Sequence, residues 1–169
     1  MSETILLKAR IASMEMADVI TSAAGVATAT WTDLPLTLRD DEVSIVDVDP
    51  DESEVFSHEN DLAEDYDIIG KGTTVQGSFI KIAYADLVTL LGGEIVGTAP
   101  NTKFHRSGQR ALFHKAIKFT LKDNSTIVIP NVKGFVQSKL SIGFGGVQKF
   151  PFKWKVLPGA ANWNVDIIW

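Results

Sequence analysis

The chain has 169 residues, 45% of them hydrophobic, and a formal net charge of −5, which is enough apolar material for one core and predicts a single domain over 1–169. Cysteine is absent, so disulfides, thiol nucleophiles and cysteine-based metal sites are excluded, and no apolar run nears the roughly 18 residues of a membrane-crossing helix. The small total hides a split: residues 1–67 hold 17 acidic and 3 basic side chains, residues 68–169 hold 4 and 13, so a segment of −14 precedes one of +9.

Met1 to Arg10 does not read as a signal peptide, because Glu3 is acidic and Lys8 and Arg10 interrupt the short apolar Ile5-Leu6-Leu7. Ile5–Ile11 instead predicts a first strand with Ile5, Leu7, Ala9 and Ile11 on one face. Asp18–Thr32, rich in Ala, Thr, Ser and Gly, has little to bury and predicts a loop or a poorly specified strand. Leu34–Leu38 alternates Leu34, Leu36 and Leu38, and Pro35 marks it as an edge or a strand start. Glu42–Val48 predicts another strand.

Asp49–Asp67 carries nine carboxylates and no Lys or Arg. Such a stretch repels itself and predicts an extended or mobile loop, spanning about 47–72, unless a partner orders it. It is longer than an ordinary connection, which points to a function of its own.

Thr73–Ile82 predicts a strand with Val75, Gly77 and Phe79 on one face. The period then changes: Leu87, Leu90 and Leu91 share a helical face in Tyr84–Gly93, and Gly92-Gly93 stops the helix. Phe113–Leu121 predicts a strand with Phe113, Ile117 and Phe119 inward, and Lys115 on that same side. Lys122-Asp123-Asn124-Ser125 predicts a turn into Thr126–Pro130. Val132–Phe144 predicts a strand burying Val136, Leu140, Ile142 and Phe144. Gly145-Gly146 turns the chain into Val147–Val156, with Phe150, Phe152, Trp154 and Val156 inward against Lys149, Lys153 and Lys155. The predicted core is Phe79, Ile80, Leu87, Leu90, Leu91, Ile117, Phe119, Leu140, Ile142, Phe152 and Trp154. The tail Gly159–Trp169 is apolar enough to pack on the body or on a neighbouring subunit. Strands, one helix, then antiparallel strands predict a mainly β fold: an antiparallel sandwich or barrel with one short flanking helix.

The search for chemistry is negative. His58, His105 and His114 have no serine or carboxylate brought to them by pattern and read as solvated or structural. Asp47-Val-Asp49-Pro-Asp51 begins like a calcium loop, but Glu52 stands where glycine is required and His58 where the closing acid belongs. Gly70-Lys-Gly72 precedes a strand and Gly92-Gly93 ends a helix, so neither cradles phosphate. Aromatics alternate with lysines in Phe150–Trp154, but on the opposite strand face, where they read as core and not as a nucleic-acid surface. The expectation is no enzyme, no catalytic or metal residue and no cofactor.

Glu42–Glu54 running into the acidic loop, Thr73–Ile82, the helix Tyr84–Gly93 and the closing hairpin Lys139-Leu-Ser-Ile-Gly-Phe-Gly-Gly…Phe-Pro-Phe-Lys-Trp-Lys-Val-Leu-Pro158 together resemble the phage tail tube (major tail) proteins. The resemblance covers most of residues 40–158 and is one of element order and patterning. It implies a β-sandwich flanked by a short helix, with a long loop reaching neighbouring subunits. It further implies hexameric rings stacked into a hollow tube in the virion tail, made in the host cytoplasm. The partners implied are other copies, other tail proteins and viral DNA passing without specific binding, with no membrane.

On that resemblance the expected interface residues are Asp49, Asp51, Glu52, Glu54, Glu59 and Asp61 in the acidic loop, and Trp163, Ile167 and Trp169 in the tail. Head-to-tail stacking needs two complementary surfaces on one molecule, which the charge split supplies. The alternative is that part of the acid lines the channel and keeps phosphates from sticking. The rival readings are a head–tail joining or tail-terminator ring protein, and a monomeric β-sandwich module that binds carbohydrate or protein.

Overall fold

The computed structural model describes residues 10–160 and 162–169. Of the predicted strand Ile5–Ile11, only Arg10 and Ile11 are among the described residues, and Ile11 opens the first strand, β1 (Ile11–Ala17). A short helix α1 (Ala23–Thr28) and a two-residue strand β2 (Thr32–Asp33) follow. The helix corrects the loop or strand expected over Asp18–Thr32. Ser22 caps it, its Oγ accepting from Gly25 N at 3.2 Å, and alanines supply the propensity.

Next come β3 (Ser44–Asp47), β4 (Asp51–Phe56), β5 (Ala63–Ile69) and β6 (Thr73–Phe79). Helix α2 (Tyr84–Leu91) ends at Gly92, whose φ of 75° suits glycine. The chain then makes β7 (Gly93–Val96), β8 (Lys103–Arg106), β9 (Phe113–Leu121), β10 (Thr126–Val136) and β11 (Phe150–Val156). The β7–β8 ribbon was not foreseen. The fold is mainly β, as its patterning predicts.

Seven strands form one antiparallel sheet in the order β2-β1-β9-β10-β11-β6-β3. It is open and does not close into a barrel, so the sandwich half of the expectation holds. The segment Leu34–Leu38 lies across the opening. Leu34 N donates to Met14 O at 2.8 Å and Leu38 N to Ser78 O at 2.9 Å, so it ties β1 to β6.

One face of the sheet holds the main core. Phe79, Phe152, Trp154 and Phe113 stack in a row, with ring centroids 4.5 Å apart for Phe79–Phe152, 4.2 Å for Phe152–Trp154 and 4.3 Å for Phe113–Trp154. Two glycines make room for these rings. A Cβ on Gly77 would lie 2.8 Å from the Phe152 ring, and one on Gly134 2.9 Å from the Trp154 ring. Leu87, Leu90 and Leu91 of α2 cover the row, as their helical spacing predicts. Each large apolar side chain buried here contributes about 1.5–3 kcal/mol.

The opposite face is covered at one side only. There Ala17, Ile20, Ala116 and Val128 pack with Val26, Trp31, Trp163 and Ile168. Ile168 also exchanges two 2.8 Å backbone hydrogen bonds with Val128, filling the edge of β10 that β11 is too short to reach. The tail therefore belongs to the body's own packing.

The predicted core needs three corrections. Leu140 and Ile142 are exposed and Ile80 is only partly buried. The strand expected over Val132–Phe144 stops at Val136, because β10 starts earlier, at Thr126, and accommodates Pro130 at a register shift between Ile129 and Val132. Beyond Val136 the chain leaves the sheet. Phe144, expected inward with them, is likewise fully exposed.

Candidate interaction surfaces

The acidic segment is a hairpin and not an irregular loop. Strands β4 and β5 pair with each other as a separate two-stranded sheet. The segment is extended, and its two strands give each other a ladder partner in spite of the charge. The turn is organised by Asn60, whose Oδ1 accepts from Leu62 N at 3.3 Å, and by Glu64, which accepts from Ser57 Oγ at 2.9 Å. All six residues of β4 and all seven of β5 are exposed.

The register sorts this ribbon into two faces. Asp51, Ser53 and Val55 lie opposite Ile69, Asp67 and Asp65; Glu52 and Glu54 lie opposite Ile68 and Tyr66. The second face thus has an apolar centre, Tyr66 and Ile68, rimmed by Glu52 and Glu54. The Tyr66 phenol is held above its ordinary value, first by partial desolvation and then by its hydrogen bond to Glu52 and the negative charge of Glu52 and Glu54. Asp51 is engaged by Lys71 at 2.5 Å on the exposed surface.

The six acidic residues expected to act together are therefore dispersed. Asp49 lies in the connection between β3 and β4, Asp51 and the Glu52/Glu54 pair face opposite ways, and Glu59 and Asp61 sit in the turn. In the tail, Trp163 and Ile167 are half-buried against the chain's own core, while Trp169 is 69% exposed.

A second surface went unrecognised in the sequence. Residues 137–149 join β10 to β11 as an extended loop, closed at its base by mutual backbone bonds of Lys139 and Lys149 at 2.8 and 3.1 Å. Its tip carries Leu140, Ile142, Phe144 and Val147 in solvent, with Ile142 97% exposed. The signal that marks it as a loop is Gly143-Phe-Gly-Gly146, since three glycines in four residues weaken any strand. Arg106 reaches the base of the loop, donating from Nη1 to Ser138 Oγ at 2.8 Å. Residues 124–165 contain Lys133, Lys139, Lys149, Lys153 and Lys155 and no carboxylate.

The two surfaces sit at opposite ends of the sheet. The hairpin leaves from Asp47 and returns at Thr73, which pair with each other, and the adjacent Thr74 faces Lys155 near the end of β11. The loop instead enters β11 at Phe150, which faces Phe79 at the other end of β6. A seven-residue strand separates these ends by about 20 Å.

The sheet face left uncovered carries Lys133 opposite Lys155, and Phe135 opposite Lys153. Phe152, Trp154 and Val156 point the other way, into the core, so the alternating aromatics are packing residues. His114 bonds Asn131 Oδ1 at 2.8 Å through Nε2, His105 lies on β8 and His58 in the turn of the acidic hairpin. Asp47, the first carboxylate of the calcium-like run, accepts from Thr73 Oγ1 at 2.5 Å instead. Among the described residues, no three His, Asp or Glu side chains are grouped to hold a metal.

Compared with known proteins, the chain matches no family model and no curated sequence.

Proposed function

We propose that this chain is a structural assembly protein of the tail-tube kind, forming rings that stack into a hollow tube in a virion tail. The observation that carries the reading is the β4–β5 hairpin, projecting from one end of the sheet and exposed along its whole length. A free two-stranded ribbon is marginal in water. Its apolar residues Val55, Phe56, Leu62, Tyr66, Ile68 and Ile69 are all in solvent, where a soluble monomer gains nothing from them. A subunit that passes a ribbon to its neighbour accounts for all three features. The tube encloses DNA by its shape, without base-specific contacts, and the partners are further copies and the proteins at the tube's ends.

Electron microscopy of the purified protein across concentration tests this. Tubes are expected. Isolated rings would favour a joining or terminator protein, and a persistent monomer would favour a binding module.

A further inference from the structure

We infer that the 139–149 loop of one copy seats on the Tyr66–Ile68 face of the β4–β5 hairpin of the next copy. The inference rests on the self-assembly reading above and names its contact. Three observations lead to it. First, both surfaces are apolar at the centre and charged at the rim, with opposite signs. The loop presents Ile142 and Phe144 at its tip, with Lys139 and Arg106 at its base, and the hairpin presents Tyr66 and Ile68 opposite Glu54 and Glu52. Each apolar patch lacks cover among the described residues, and the opposed rims fix which way they meet.

Second, the surfaces leave opposite ends of one sheet. A contact between unlike ends is heterologous: using it leaves a free loop at one end of the pair and a free hairpin at the other, so addition continues along the sheet direction. Third, the base of the loop is fixed before the partner arrives, since Lys139 and Lys149 exchange backbone hydrogen bonds, which lowers the entropic cost of docking. Lys149 is held by Asp41 at 2.6 Å, fixing one side of the loop's base in the same way.

The absence of cysteine allows a direct test by mixing two singly substituted proteins, Ser141→Cys and Glu54→Cys. Both positions border the proposed contact and leave its apolar centre intact. A disulfide needs Cα atoms within about 7 Å. Oxidation of the mixture at low salt should give a cross-linked pair, and replacing Glu54→Cys by Val55→Cys, on the ribbon's other face, should lower the yield at least tenfold. In parallel, Phe144→Ser should leave the thermal midpoint of the monomer unchanged and raise the concentration needed for assembly at least tenfold.

If the wild type assembles but Glu54→Cys and Val55→Cys cross-link equally, or neither does, the pairing is wrong while self-assembly stands. A wild type that stays monomeric at every concentration overturns both. Vesicles of phosphatidylserine and phosphatidylcholine provide the remaining arm. Should Phe144→Ser abolish sedimentation with them yet assemble normally, the loop serves a lipid surface and the inference fails.

Discussion

Asp41 joins three distant parts of the chain: its Oδ2 accepts from Lys149 Nζ at 2.6 Å and from Ser78 Oγ at 2.7 Å. These bonds, Lys149 first, hold its carboxyl below the ordinary value of 3.8. A lowered carboxylate contributes stability that is present above its unfolded value and is lost as pH falls through the folded one. Asp41→Asn should therefore lower the thermal midpoint at neutral pH, with the difference from wild type shrinking below pH 3.8. Thermal melts at several pH values check it, and a constant difference down to the lowest pH would remove the carboxylate's role. Trp154 is a different case. It is fully buried between Phe152 and Phe113, and truncating such a residue costs about 3–5 kcal/mol. Trp154→Ala is expected to be insoluble or unfolded. Its Nε1 has no hydrogen-bond partner among the described residues, so Trp154→Phe, which removes that donor, should be tolerated far better. Wild-type stability in Trp154→Ala, measured by urea titration, would contradict the packing of this row.

At the scale of elements, the acidic hairpin is held by its own ladder and by Lys71 on Asp51, both on the exposed surface. Its amides should exchange quickly in the monomer and slowly in the proposed polymer, where a neighbour would cover them. Hydrogen exchange on the two forms measures this, and strong protection already in the monomer would show that the ribbon needs no partner. How well each element could be read beforehand follows from how many neighbours share in deciding it. Phe113–Leu121 and Phe150–Val156 alternate cleanly because one face is core, and α2 shows its three leucines at helical spacing. The pairing of the acidic hairpin was hidden because charge argues for an extended chain but not for a ladder partner, which depends on which residues Asn60 and Glu64 bring together in the turn. Leu140 and Ile142 were misplaced for the converse reason: apolar alternation marks a buried strand only where a second layer exists to bury it. For Phe144 nothing among the described residues does so. Helix α1 has no buried residue, so it left no periodic trace to read. The interaction surfaces were legible as charge and not as geometry, since the separation of −14 from +9 in sequence says nothing about which end of the sheet each occupies.

Across the whole molecule, an acidic ribbon leaves one end of the sheet and an apolar loop flanked by Lys139 and Lys149 leaves the other, while further lysines such as Lys71 and Lys155 lie at the ribbon's own end. Single exposed ion pairs are worth only about 0.2–1 kcal/mol, so no one carboxylate controls assembly. In the proposed assembly, several pairs per contact, repeated around a ring and between rings, would set register and the rate of nucleation, with apolar burial supplying the affinity. Replacing Asp49, Asp51, Glu52 and Glu54 by Asn and Gln keeps their size and removes their charge. The folded subunit should be little changed, because all four are exposed and the one ion pair lost, Lys71–Asp51, lies in solvent. Assembly at low salt should slow severalfold or stop. The difference from wild type should narrow as salt rises, because the Debye length falls from about 10 Å at 0.1 M to about 3 Å at 1 M and the wild-type pairs are then screened as well. Light scattering of both proteins over a salt series measures the effect. An unchanged low-salt rate would mean that these carboxylates lie outside the growing contact, and a surface facing the DNA, where negative charge repels phosphate, would then account for them better.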